Sequence, residues 1–108
     1  MTKSVFIGGK QIGANALRIL LSHGMRPELV IPNLDDDGVD TWHESLVRIA
    51  EEAGLPVVRG KRVKDEEIVA RIKEIAPDAL FVIGGMQIVP KEVLEIPSIG
   101  TFNLHPAL

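Results

Sequence analysis

Short apolar runs alternate with segments of helical period along the whole chain. Residues 4–9 (SVFIGG) predict a buried strand that ends in glycines. Residues 11–24 place Ile12, Ala16, Ile19, Leu20 and His23 at helical spacing, with Gly24 as the stop. Residues 27–32 (PELVIP) predict a second strand, followed by the acidic loop NLDDDGVD. The next helix is expected to open at TWHE. There Thr41 accepts from the Glu44 backbone N–H while the Glu44 carboxylate reaches back to the Thr41 N–H, a capping box. Trp42, Leu46, Ile49, Ala50 and Ala53 then form an apolar stripe, with Trp42 as a core or half-buried anchor and Gly54 as the end. Residues 55–60 (LPVVRG) read as a short third strand. Asp65 caps a helix whose buried face is Ile68, Ile72, Ile75 and Ala76, terminated by Pro77. Residues 78–85 (DALFVIGG) form the most apolar strand and are expected at the centre of the sheet. A short helix over 90–96 and a fifth strand over 100–105 complete the pattern.

Five strands separated by helices imply βαβ units, hence a parallel sheet covered on both faces. The expected fold is α/β, a three-layer Rossmann-like sheet of strand order 3-2-1-4-5. In such a sheet ligands bind at the carboxyl ends of the strands, near the point where the order reverses. Those ends carry GGKQIG, NLDDDG, GGMQIV and NLHPAL, so the glycines and the polar residues converge on one edge.

Composition narrows the class. The chain has 108 residues, 45% of them apolar and 25% charged, which suits a single globular domain. No linker, repeat or low-complexity segment divides it. A net charge of −3 and the lack of a basic stripe argue against nucleic-acid binding by bulk attraction. With no cysteine, disulfides and thiolate metal sites are excluded. The apolar runs are too short to span a bilayer and the start lacks a signal-peptide core, which predicts a cytoplasmic protein away from membranes.

Four features are candidates for chemistry. Gly8, Gly9 and Gly13 follow a strand and open a helix, but their spacing is not that of a dinucleotide fingerprint, and no P-loop sequence follows. They read as a tight strand-to-helix turn, with a phosphate contact at the helix N-terminus as the alternative. Asn33, Asp35, Asp37, Gly38 and Glu44 match calcium-loop spacing, yet a strand precedes them, Asp40 stands where a hydrophobic residue is needed, and no second copy exists. A solvated loop is expected, with no metal site. His23 and His43, each in a terminal turn of a helix, read as structural. Asn103 and His105 are two apart on a strand, so they share a face at the sheet's carboxyl edge, while Phe102 and Leu104 point into apolar packing. On position alone the pair serves either turn hydrogen bonds or chemistry.

From Ile88 onward the chain reads IVPKEVLEIPSIGTFNLHPAL, with Pro90, Leu94, Pro97, Gly100, Asn103 and His105 in a shared spacing. This resembles the formyltransferases that use 10-formyltetrahydrofolate, whose members act on methionyl-tRNA, glycinamide ribonucleotide or amino sugars. The resemblance implies that residues 1–108 are the N-terminal part of the catalytic domain, with its C-terminal strands and a third catalytic residue, an Asp, lying beyond. The piece alone is then expected to be inactive, and its exposed fifth strand leaves an unsatisfied edge, either a hazard for solubility or a reason to self-associate, with a homodimer as one outcome. The resemblance also implies roles. Asn103 donates to the oxyanion, His105 stabilises that charge and handles the proton, and Met86, Gln87, Ile88 and Val89 hold the pterin largely by backbone groups. Gly85-Met86 stands where relatives often have an aromatic-Gly pair, and Ala107 where many have Ser. The acceptor expected here is a small-molecule amine on a sugar nucleotide, with methionyl-tRNA second. A non-catalytic nucleotide- or folate-binding module is the alternative.

Overall fold

The computed structural model describes residues 2–104. Its elements run β1 (Ser4–Gly8), α1 (Lys10–Ser22), β2 (Leu29–Pro32), α2 (Leu46–Glu52), α3 (Glu66–Ile75), β3 (Ala79–Ile83), α4 (Lys91–Leu94) and β4 (Gly100–Leu104). The four strands form one parallel sheet of order β2-β1-β3-β4. The expected third strand is reduced to one parallel bridge, Val57 to Val30, outside β2. The Val30 N–H donates to Pro56 O and the Val58 N–H to Val30 O. Pro56, which has no N–H of its own, limits longer pairing. With that bridge counted, the order is the 3-2-1-4-5 expected.

Alternation along the strands divides the core into two layers. Val5, Ile7, Leu29, Ile31, Leu80 and Val82 face α3 and α4 through Ile68, Val69, Ile72 and Val93. Phe6, Val30 and Ile83 face α1 and α2 through Ala14, Leu17, Leu46, Ile49 and Ala50. No helix among the described residues is long and apolar enough to cross a membrane.

Local departures from the sequence pattern have identifiable causes. α1 buries Gly13, Ala14 and Leu17, and leaves Ile19 59% exposed. The helix seats against the sheet through Gly13, where a Cβ would lie 2.9 Å from Ile83 O, and this rotates the buried stripe. α3 buries Val69 with Ile68 and Ile72, whereas Ala76 is an exposed left-handed cap (φ 52°) rather than a core residue. α2 begins at Ser45, not at Thr41. The Ser45 hydroxyl accepts from the Arg48 N–H, and the Asp36 carboxylate accepts from the N–H groups of Leu46 and Val47. The expected capping box does not form. The Thr41 N–H donates to His43 O instead, and Glu44 is drawn towards Gln11, Arg18 and Arg48. Trp42 is therefore off the helix and 95% exposed, the reverse of an anchor.

Candidate active site

The carboxyl ends of the strands meet at an unusually close crossing. A Cβ on Gly8 would lie 1.9 Å from Ile83 O, and one on Gly84 would lie 2.2 Å from Gly9 O. Both residues have positive φ, +153° and +67°, so glycine is required twice over, by conformation and by space. The glycine turn thus serves the contact between β1 and the loop after β3.

Asn33, the residue after β2, crosses this junction. Its side chain is buried, with Nδ2 donating to Gly84 O (3.1 Å) and Oδ1 accepting the Met86 N–H (3.0 Å). Its backbone N–H donates to Gly8 O. The sequence puts Asn33 in a calcium-like spacing and in a loop at the ligand-binding edge of the sheet, without this bracing role. The available signal was an Asn closing a buried strand, opposite two strand-end glycines.

The four residues expected to hold a pterin divide into two pairs. Met86 and Ile88 are 64% and 91% exposed. Gln87 turns inward, its Oε1 accepting the Val63 N–H (2.9 Å) and its Nε2 reaching Pro32 O (3.4 Å). Val89 packs against the α3 and α4 core layer. The loop is held by its inward pair and presents its outward pair. A hollow of about 270 Å³ beside it is lined by Leu34, Arg62, Lys64, Met86, Gln87 and Ile88.

Asn103 pairs in register with Val82, on the sheet face that also carries Ile7 and Leu80. It is exposed, and the Gly84 N–H donates to Leu104 O (3.0 Å), which ties the end of β4 to the start of the pterin-loop candidate. His105 lies outside the described residues. Phe102 and Leu104 are 51% and 52% exposed rather than packed inside, because β4 is the outer strand of this sheet. Phe102 still stacks on Phe81, with ring centroids 5.6 Å apart.

A second cleft, about 220 Å³, opens between the β1–α1 turn and the 33–45 loop, lined among others by Gly9, Lys10, Asn33, Asp35, His43 and Met86. His43 stands in this loop, not in a helical turn. Three of the acidic residues around the cleft are engaged with different partners. Asp36 caps α2, the Asp37 carboxylate accepts the Val39 N–H, and Glu44 is paired with Arg18 and Arg48. The Arg18 guanidinium and the Gln11 amide hold the Glu44 carboxyl below its ordinary pKa, and the Ser45 N–H and Arg48 do the same for Asp40. His23 caps α1, with Nδ1 2.9 Å from Ile19 O. Among the described residues, no three acidic or histidine side chains are arranged to hold a metal.

Comparison with known proteins gives the chain a family and its fold a counterpart. The family model described as Formyl transferase matches residues 29–108. A methionyl-tRNA formyltransferase of Thermodesulfovibrio yellowstonii is 30% identical over 107 residues, covering 96% of this chain and 35% of that protein. One of Acidobacterium capsulatum is 34% identical over 110 residues, covering 98% and 35%. The chain thus spans about a third of the length of these curated relatives. The crystal structure of glycinamide ribonucleotide transformylase 1 from Symbiobacterium toebii superposes with a TM-score of 0.63 at 22% identity, over 100% of this chain and 53% of that one. At that identity the likeness is one of fold.

Proposed function

Because the chain belongs to the formyl transferase family, we propose that the whole protein moves a formyl group from 10-formyltetrahydrofolate to a primary amine, and that this chain is the N-terminal part of its catalytic domain. The observation that carries the reading is the bond from Gly84 to Leu104, which sets the Asn103 strand end beside the loop of Met86 and Ile88. The fit to the donor is chemical. Exposed apolar groups at Leu34, Met86 and Ile88 suit a flat ring system, and Arg62 and Lys64 at the margin suit the carboxylates of a folate tail.

In this reading the acceptor nitrogen attacks the formyl carbon, and a C–N bond forms as the carbonyl π pair moves to oxygen. The Asn103 amide donates to that oxyanion, a contribution of about 2.7–4 kcal/mol in comparable sites. His105 relays the proton lost by the attacking amine to the donor nitrogen as the old C–N bond breaks. An Asp from the further chain of the whole protein completes the catalytic set. The inward bonds of Gln87 leave backbone groups of 85–89, not its side chain, for the pterin.

The names of the curated relatives support methionyl-tRNA as the acceptor, ahead of the sugar nucleotide that the resemblance offers and that an acidic net charge puts first. The test is formyl transfer by the whole protein from 10-formyltetrahydrofolate to methionyl-tRNA, with a nucleotide-linked amino sugar assayed in parallel. Formylmethionyl-tRNA is the expected product. Turnover of the sugar alone would reassign the acceptor, and folate binding without turnover of either would favour the non-catalytic module.

A further inference from the structure

Asn33 is a buried polar side chain whose amide makes both of its bonds to one loop, more than fifty residues away in sequence. A buried amide demands partners, and here it is itself the partner of two backbone groups of that loop, the Gly84 carbonyl and the Met86 N–H. What the two bonds fix is specific. Gly84 O and the Met86 N–H are held towards β2, so the peptide plane on either side of Gly85 has one orientation. Met86 and Ile88 then emerge on the outer side of the loop, while Gln87 is anchored to Val63 and Pro32. Gly9 has no side chain at the point where one would strike this amide, since its Cβ would stand 2.5 Å from Nδ2.

Resting on the folate reading above, we propose that Asn33 is a positioning residue for the formyl donor. It touches no reacting atom and acts by holding residues 84–86 in the one backbone conformation that presents the loop to the pterin. The device favours a planar heterocycle read by backbone groups, whose fit depends on peptide orientation rather than on side-chain identity.

The experiment compares donor KM, acceptor KM, kcat and melting temperature for the whole protein and its variants. Asn33→Ala is expected to raise donor KM about tenfold, the equivalent of one lost bond, with acceptor KM unchanged. Ile72→Ala, a buried truncation that carries none of these bonds, is expected to lower the melting temperature without that split. Asn33→Asp gives a second test if the alanine variant does not fold. Burial raises the pKa of the introduced carboxyl, and its protonated form can again donate to Gly84 O and accept from Met86. The ratio of variant to wild-type donor KM therefore falls as pH is lowered from about 8 to about 6. A donor KM no more affected than in Ile72→Ala, together with a pH-independent ratio for the aspartate, overturns the proposal. A wild type that neither turns over nor binds 5-formyltetrahydrofolate sinks the folate reading itself, and this inference with it.

Discussion

Gln87 accepts the backbone N–H of Val63 at 2.9 Å, so a side chain in the candidate folate loop holds a residue twenty-four positions earlier. Val63 is fully buried. Gln87→Ala leaves its N–H without a partner, at about 1–3 kcal/mol of stability. Gln87→Glu keeps the accepting oxygen and is expected to lose less. Thermal unfolding of the two variants checks the order.

Two left-handed glycines separate backbone strain from crowding. Gly60 has φ +68° and open space where a Cβ would stand, whereas Gly84 has φ +67° and Gly9 O at 2.2 Å. Gly60→Ala is expected to cost about 1–2 kcal/mol. Gly84→Ala adds overpacking to that strain, for about 2–5 kcal/mol in all. Denaturant melts of both variants measure the difference, and equal losses would show that the strand crossing yields easily.

If Asn103 stabilises the oxyanion, Asn103→Ala lowers kcat by about a hundred- to a thousandfold, with little change in either KM. His105→Ala is expected to abolish the pH-dependent limb that its imidazole gives the rate. Steady-state kinetics of the whole protein over pH decide both. A large rise in donor KM at unchanged kcat would make Asn103 a binding group instead.

The carboxyls of Glu44, Asp40 and Asp78 all titrate below their ordinary values. Arg18 and Gln11 act on the first, Ser45 and Arg48 on the second, and the Lys3 N–H and Ser98 hydroxyl on the third. A depressed folded pKa contributes stability that is full above the unfolded value and is lost as pH falls through the folded one. Unfolding free energy is therefore flat near neutrality with respect to these groups and declines below about pH 4.5. Glu44→Gln removes one of them and is expected to make that acid decline shallower. An unchanged slope would mean that the surface pair with Arg18 contributes nothing measurable.

Much of this fold was legible because its signals are local. The strands at Val5–Ile7 and Leu80–Ile83 are apolar on both faces, as strands in the middle of a covered parallel sheet must be. The start of α2 was not legible. Thr41 and Glu44 have capping-box spacing, but Asp36 reaches the helix N-terminus from across a loop, and Arg18 on another helix holds Glu44. Both effects depend on the folded chain. The site divides in the same way. The Asn103 position follows from alternation along a strand, whereas the opposite facing of Met86 and Gln87 depends on a hydrogen bond to Val63 that no spacing encodes.

The contact between Gly9 and Asn33 has an evolutionary consequence. A methyl group at position 9 would displace the amide that holds the loop, and once that amide is gone, position 9 is free to accept one. The two positions are thus expected to vary together. Across homologous chains, a side chain larger than hydrogen at 9 should accompany loss of asparagine at 33, with the loop then secured by some other group.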